Sequence, residues 1–221
     1  MVLIAKVKAN WHRILVHVGA LLPLALLLWD FSQDRLTVNP IQEITFRTGK
    51  YALVLLVLSL ACTPVNSVLG FKPALRVRRS LGLYAFMYAG LHFLTFVGLD
   101  YGFDLELIRG AIFEKRYALV GFSAFLILIP LAVTSTKGWM KRLGKKWKYL
   151  HRLVYLAALL VVVHFIWLVK SDIREPLLYG VAVILLLLLR VPAIRRGISR
   201  YRVRRERSIG ETSAKLHPEQ G

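Results

Sequence analysis

Two histidines lie inside long apolar runs of the sequence, where an imidazole loses its hydration and needs a partner. His92 follows Leu81, the start of one run, by 11 residues, and His164 follows Leu153, the start of another, by the same 11 residues. At 1.5 Å per residue, both histidines lie about 16 Å along their helices, near the middle of a bilayer. The two runs are the third and fifth of six, so their helices point the same way. The matched depth predicts that the two imidazoles ligate the two faces of a single haem iron.

The two apolar runs lack the residues that other metal sites and proton relays use. Neither run contains Asp or Glu, the side chains that a proton relay or a site for a hard cation uses. Cys62 is the only cysteine, which excludes an internal disulfide and a thiolate cluster for iron or zinc. We therefore interpret the histidine pair as metal ligands, and no residue pattern indicates a catalytic site on this chain.

His151 marks a second level of the same helix. It precedes His164 by 13 residues, a distance of about 19 Å along a helix, and the two side chains lie about 140° apart around an ideal helix axis. Arg79 occupies the matching level of the third helix and cannot ligate iron. We predict a second cofactor site at this level. Its candidates are Arg78, Arg79 and Arg152 as propionate or phosphate partners, and His12 or His17 as a sixth ligand.

Six apolar runs without Asp, Glu, Lys or Arg position these residues. They cover residues 14–29, 51–71, 81–99, 117–136, 153–169 and 176–189. Each is close to the roughly 20 residues that cross a hydrocarbon core, and flanking side chains extend the shorter ones. The sequence predicts an all-α, polytopic membrane protein without an internal repeat. We expect one six-helix bundle over residues 1–194 and a basic cytoplasmic tail over residues 195–221.

The distribution of charge predicts the orientation of the helices. Of the 31 Lys and Arg residues, 23 fall on the two termini and on the loops that follow the second and fourth helices. Nine of the 12 acidic residues fall on the alternate loops. Cytoplasmic segments carry the excess of Lys and Arg, so both termini are expected in the cytoplasm. The net charge of +19 then reflects topology and contact with membrane lipids, and we expect no binding to nucleic acid.

Four stretches of the sequence resemble a known family. They read TGKYALVLLVLSLACTPVNSVLG, RRSLGLYAFMYAGLHF, KRYALVGFSAFLILIPLAVTS and RLGKKWKYLHRLVYLAALLVVVHFIW. They are similar to the haem-binding membrane subunits of the bacterial periplasmic methionine sulfoxide reductase system. That family is part of the ferric-reductase-like transmembrane superfamily, which includes the NADPH oxidases. The resemblance extends from about residue 11 to residue 189, nearly the whole membrane part.

The resemblance implies an electron-transfer subunit in the bacterial inner membrane. It implies one or two haems b, FMN as a further cofactor, and the quinone pool or a cytoplasmic flavin reductase as electron donor. The acceptor that the resemblance implies is a separate periplasmic molybdopterin enzyme that reduces methionine sulfoxide in oxidised proteins. The haem-ligand positions that carry over are His92, His151 and His164. Arg79 stands where the wider superfamily has the third-helix histidine of an inner haem.

Two other classes of function stay open on the sequence alone. One is a different membrane cytochrome, such as a ferric reductase or a quinol-oxidising cytochrome b. The other is a transporter without redox chemistry, which uses its buried histidines to bind a substrate or to pack helices. About 30 residues follow the sixth helix, too few for the flavin and nicotinamide domain of an oxidase, so we expect any nicotinamide chemistry on another chain.

Overall fold

The computed structural model describes residues 2–169 and 172–191, together with residues 194 and 197. These residues form helices joined by short connections, and they include no strand. The α-helices are α1 (Val2–Ser32), α2 (Pro40–Leu69), α3 (Pro73–Leu94), α4 (Leu105–Glu114), α5 (Arg116–Val133), α6 (Lys137–Leu143), α7 (Lys145–Leu150), α8 (Leu153–Leu168) and α9 (Arg174–Leu188). A π-helical segment, Thr95–Asp100, continues α3. The predicted all-α class is confirmed, and the predicted tail lies outside the described residues except for residue 197.

Within the part of the chain that the structure describes, five helical stretches are long and apolar enough to cross a membrane. They are Trp11–Ser32, Pro40–Leu69, Pro73–Asp100, Arg116–Val133 and Lys145–Leu168, which correspond to the first five predicted runs. The sixth run forms α9, whose 15 described residues are fewer than the roughly 20 that a bilayer core requires. The protein is thus a multi-pass membrane protein. A sixth crossing and the orientation of the termini stay predictions.

Two antiparallel pairs of helices form the frame of the bundle. α2 packs along α3, and α5 packs along α8. The turn between α2 and α3 is tight because Gly70 ends α2 in the left-handed region, with φ at 71°, a conformation that a residue without a β-carbon adopts at little cost. The short helices α6 and α7 connect α5 to α8. α3 contacts α5, so the two pairs lie side by side.

α1 and α9 pack against this frame. α1 contacts α3, where the fully buried Tyr88 donates its hydroxyl hydrogen to the carbonyl of Ala20 at 2.7 Å. α9 contacts α8 and α2. Just beyond α9, Arg190 donates to the carbonyl of Leu60 at 2.5 Å. Pro64 lacks the N–H that would bond this carbonyl within α2, so the arginine replaces a missing helix hydrogen bond.

We name the two ends of the bundle by the predicted orientation. The outer end is the end at which α2, α5 and α9 begin and α8 finishes. Arg47 of α2 forms salt bridges there with Asp30 of α1 at 2.6 Å and with Glu43 at 2.5 Å. The inner end carries the Gly70 turn and the short helices α6 and α7.

Candidate functional site

A cavity of about 480 Å³ lies among α2, α3, α5 and α8, a volume typical of sites for small molecules and cofactors. His92 and His164 both line it. Aromatic rings form much of one wall, where Phe93 stacks on Phe125 with 4.9 Å between ring centres. Further apolar side chains that line the cavity are Leu53, Phe96, Ile112, Phe122, Leu128 and Val161. The cavity is therefore a largely apolar chamber with two imidazoles in its wall.

The structure brings the two predicted ligands together. The ring centres of His92 and His164 are 6.1 Å apart, and the ring planes make an angle of 80°. Two imidazoles that each bind one metal ion through a ring nitrogen at about 2 Å, from opposite sides, have ring centres roughly 6 Å apart. The observed separation fits two axial ligands of one iron.

A backbone carbonyl of a neighbouring helix orients each imidazole. Nδ1 of His92 lies 2.9 Å from the carbonyl oxygen of Thr45 in α2, and Nδ1 of His164 lies 2.7 Å from that of Tyr117 in α5. A carbonyl oxygen only accepts, so Nδ1 carries the hydrogen in both rings and the lone pair of each neutral ring is on Nε2. A metal-binding histidine commonly donates its other N–H in this way. Nε2 is therefore the nitrogen available to a metal.

Each imidazole also lies against a glycine. A β-carbon on Gly121 would stand 2.5 Å from Nδ1 of His164, and a β-carbon on Gly49 would stand 3.0 Å from Nδ1 of His92. The first distance is shorter than real β-carbon contacts, so the position of His164 requires glycine at residue 121. Gly49 is under the same restriction in a milder form. Neither glycine was among the residues that the sequence patterns singled out.

The carbonyl, the glycine and the histidine form one unit that occurs twice. In both copies the histidine follows its carbonyl partner by 47 residues. The first unit is Thr45, Gly49 and His92, and the second, 72 positions later, is Tyr117, Gly121 and His164. The expectation that the chain has no internal repeat is therefore incomplete. The equal spacing of 43 residues from each glycine to its histidine was a signal that the sequence offered.

The histidine pair lies nearer to the outer end than the sequence predicts. α8 ends at Leu168, four residues or about 6 Å beyond His164. The expected depth of about 16 Å counts from Leu153, the first residue of the apolar run. The helical stretch that could cross the membrane begins earlier, at Lys145, because it includes α7 as well as α8. His164 is therefore farther from the inner end of this stretch than the apolar run alone suggests. Most of the length of α8 therefore lies on the inner side of the pair.

His151 lies away from this cavity, in a polar contact of its own. Its Nε2 is 3.1 Å from the hydroxyl of Thr134, which itself donates to the carbonyl of Pro130 at 2.6 Å. A hydroxyl has one hydrogen to donate, so the nitrogen is the donor and Nδ1 of His151 keeps the lone pair. The ring of Trp147 stacks on the imidazole with 4.0 Å between ring centres. His151 is thus fixed at the junction of α5, α7 and α8.

The remaining predicted site residues do not line the cavity either. Arg78 donates to the hydroxyl of Thr63 at 3.2 Å, and Arg79 is exposed. The guanidinium of Arg152 lies 5.0 Å from the ring centre of Tyr149. His17 pairs with the hydroxyl of Tyr84 at 2.7 Å, and His12 is buried. Their roles at an inner cofactor site stay predictions.

The donor set restricts what metal group the cavity fits. Among the residues that the structure describes, no three His, Cys, Asp or Glu side chains are grouped as a metal site. Two histidines cannot complete the coordination of an iron on their own, so an iron held between them would take its other ligands from a macrocycle. The apolar walls, the two available Nε2 atoms and the 6.1 Å ring separation together fit haem.

The fold and the site define a class of protein: a multi-pass helical membrane protein with two histidines paired across an apolar chamber. The family described as Ferric reductase like transmembrane component matches residues 48–162. The Protein-methionine-sulfoxide reductase heme-binding subunit MsrQ of Xanthomonas axonopodis pv. citri (strain 306) is 49% identical over 180 residues, which cover 78% of this chain and 82% of the relative. The MsrQ subunit of Rhodospirillum rubrum is 46% identical over 195 residues, or 87% of this chain and 94% of the relative. The chain belongs to the MsrQ family of ferric-reductase-like transmembrane proteins, which confirms the resemblance. No solved structure matches it.

Proposed function

We propose that the chain is a membrane b-type cytochrome that binds haem b between His92 and His164 and passes electrons to a methionine sulfoxide reductase. The observation that carries this proposal is the pairing of the two imidazoles across the apolar cavity, 6.1 Å apart and each with its Nε2 lone pair available. The relatives are named as heme-binding subunits of protein-methionine-sulfoxide reductase, which supports both the cofactor and the partner. Bound haem supplies reversible one-electron transfer.

The residues of the chain hold and tune the two ligands. The carbonyls of Thr45 and Tyr117 accept from Nδ1, which fixes the ring orientation and makes each Nε2 a stronger donor to iron. Gly49 and Gly121 give the rings the space that these hydrogen bonds require. The aromatic wall keeps water from the metal and lowers the local dielectric, which influences the reduction potential. No group in the cavity is needed as a catalytic acid or base, because the chemistry on the substrate takes place on the partner.

The position of the cavity supports a direction of electron transfer. The histidine pair lies about one turn from the outer end of α8, and most of the acidic residues fall on the segments predicted at that end. We therefore place the acceptor, a molybdopterin-containing reductase, on the periplasmic side of the bacterial inner membrane. Both termini then lie in the cytoplasm, and electrons move from the inner end to the outer end.

We assign the inner end to the electron donor. The segment from Lys137 to Arg152 contains seven Lys and Arg residues, and positive charge attracts anionic phosphates and acidic proteins. His151 lies at this end, fixed by Thr134. We propose that it takes part in an inner cofactor site, a second haem or FMN, with the further candidates Arg78, Arg79, Arg152 and His17. A cytoplasmic flavin reductase or the quinone pool is the proposed donor.

The optical spectrum of the purified protein reduced with dithionite tests the cofactor assignment. We expect the bands of a low-spin b-type haem, and we expect His92→Ala and His164→Ala each to abolish that signal, because loss of one axial ligand opens an iron position and weakens the hold on the porphyrin. His151→Ala is the matched control, since His151 does not line the cavity and the signal from the outer pair is retained. Unchanged spectra and haem content in both cavity variants would overturn the assignment.

A second experiment tests the partner. Reduced protein is mixed with the cognate periplasmic methionine sulfoxide reductase, and reoxidation of the haem is followed with and without a methionine sulfoxide substrate. We expect the haem to be reoxidised only when the reductase and the methionine sulfoxide substrate are both present. Fast reoxidation by a ferric chelate combined with none by the reductase would favour a ferric reductase instead, and a colourless, stable preparation would favour a protein without redox function.

A further inference from the structure

The cavity has one polar end. The charged residues among those that line it are Lys50, Lys115 and Asp100. Lys115 directly precedes α5, and Asp100 ends the π-helical segment. Lys50 lies in α2, and its ammonium pairs at 2.7 Å with Glu175 in the first turn of α9. All these charges therefore lie toward the outer mouth of the cavity.

The two lysines are charged and only loosely held. The ammonium of Lys115 donates to the hydroxyl of Tyr101 at 2.9 Å, and this hydrogen bond raises the pKa of Lys115 above its ordinary value. Lys50 and Glu175 are 49% and 46% exposed, so their ion pair is weak and can exchange partners at little cost. Each ammonium group has one partner, Tyr101 for Lys115 and Glu175 for Lys50, that it can exchange for another anion at little cost.

Haem b has an apolar macrocycle with two carboxylates on one edge. Moving a carboxylate out of water into an apolar site without a cationic partner is strongly unfavourable. The edge of haem that carries the two carboxylates must therefore face the polar end of its site. The other walls of the cavity are apolar or aromatic. Arg78, Arg79 and Arg152, which the sequence suggested as propionate partners, do not line this cavity.

We propose that Lys50 and Lys115 bind the two carboxylates of the haem held by His92 and His164, and so turn its carboxylate edge toward the outer mouth. The inference rests on the proposed function and adds the orientation of the cofactor. Glu175 pairs with Lys50 in the absence of a ligand, and it gives up Lys50 when the carboxylate binds. The carboxylate edge then lies on the side from which the electron acceptor approaches.

Binding of haem and of haem dimethyl ester to the full chain, prepared without haem in detergent, tests this directly. The ester keeps the iron and the macrocycle but has no carboxylate charge. We expect the wild-type chain to bind haem more tightly than the ester, by roughly fivefold for each carboxylate that pairs with an ammonium group. Lys50→Met combined with Lys115→Met should bind haem and its ester equally well. Lys72→Met is the control, since Lys72 is exposed at the inner end and does not line the cavity.

Two further variants separate binding from a structural role. Lys50→Arg combined with Lys115→Arg keeps the positive charge and should retain most of the preference for haem over its ester. Glu175→Gln removes the competitor of Lys50, so it should increase that preference, whereas a purely structural ion pair would make it resemble Lys50→Met. Equal affinity of the wild-type chain for both compounds would overturn the orientation and leave the cytochrome proposal intact. Failure of the wild-type chain to bind either compound would overturn the cytochrome proposal itself.

Discussion

The imidazole of His164 lies directly on Gly121. A β-carbon at residue 121 would stand 2.5 Å from Nδ1, 2.8 Å from Cε1 and 3.1 Å from Cγ of the ring. The same ring donates to the carbonyl of Tyr117, one helical turn before the glycine. The hydrogen bond and the close contact thus define the ring position together, and a side chain at residue 121 would displace the imidazole from both.

We expect Gly121→Ala to lower haem affinity at least about fivefold, because overpacking a close-packed site costs roughly 1–3 kcal/mol. Gly49→Ala should have a smaller effect, since its β-carbon would meet His92 at 3.0 and 3.1 Å. Haem content and the low-spin electron paramagnetic resonance signal measure both effects. Gly90→Ala is the control: it lies on α3 near His92, and a β-carbon there meets nothing within 4 Å. Equal haem content in the Gly121 and Gly90 variants would contradict the role of the glycine.

Replacing one axial histidine by methionine tests the ligand assignment in another way. His92→Met and His164→Met should each raise the reduction potential of the haem, because a thioether ligand stabilises the reduced iron relative to imidazole. A potentiometric titration followed in the visible spectrum measures the shift. His151→Met should leave the potential of this haem nearly unchanged. A shift produced by the His151 variant and by neither cavity variant would place the ligands elsewhere.

Much of the fold and the central pair could be predicted from the sequence. Bilayer thickness imposes a length on apolar runs, and five of the six runs form helices long enough to span. His92 and His164 could be paired because equal distances from the ends of parallel helices place two side chains at one level. The spacing is a local property of each run, and the helical rise converts it into a position in the bundle.

The parts that could not be predicted depend on contacts between helices. The chain has 15 glycines, so the equal 43-residue spacing alone does not single out Gly49 and Gly121, and their roles are identified only when the opposing imidazoles are in place. The tetrapeptide YALV occurs at residues 51–54 and 117–120, 66 positions apart. This offset differs from the 72 positions that separate the two carbonyl, glycine and histidine units, so aligning the tetrapeptides does not align the units. The sequence places Lys50 and Lys115 among the few basic residues of the outer segments, and it gives no measure of where a flexible side chain ends.

Arg190 should stabilise the bundle through α2. Arg190→Met leaves the carbonyl of Leu60 without a partner, and we expect this to lower the free energy of unfolding by about 1–3 kcal/mol. Pro64→Ala supplies the missing backbone N–H, so the double variant should recover much of the loss. Denaturant unfolding in detergent micelles measures the three variants, with Arg76→Met at an exposed position as the control. A double variant no more stable than Arg190→Met would show that the carbonyl is not the relevant partner.

The orientation of the bundle can be tested with reporter fusions. Fusions after Arg35, Arg109 and Arg174 should report the periplasm, because these positions follow helices predicted to run outward or lie on outer loops. Fusions after Arg76, Lys145 and Arg205 should report the cytoplasm. Alkaline phosphatase and green fluorescent protein, which are active on opposite sides, provide the paired measurement. A single inverted loop would break the parallel relation of α3 and α8 on which the pairing depends.

The last prediction concerns the place where electrons arrive. On our proposal they pass close to His151 before they reach the pair formed by His92 and His164. His151→Ala should therefore slow reduction of the outer haem by a cytoplasmic flavin reductase with FMN, while its spectrum and its oxidation by the periplasmic acceptor stay nearly intact. Stopped-flow absorbance measures both half-reactions, and the reduction should slow further at high salt because the attraction of the basic inner segment is screened.

Thr134→Val is the matched variant for this experiment. It removes the hydroxyl that accepts from Nε2 of His151 but keeps the imidazole and the stacked ring of Trp147. If the imidazole itself serves the inner site, the outer haem of the Thr134→Val variant should be reduced at nearly the wild-type rate. The outer haem of His151→Ala should be reduced much more slowly. Equal reduction rates in the wild type and in His151→Ala would mean that electrons reach the outer haem by another route, such as quinol within the bilayer, and that His151 only joins α5 to α8.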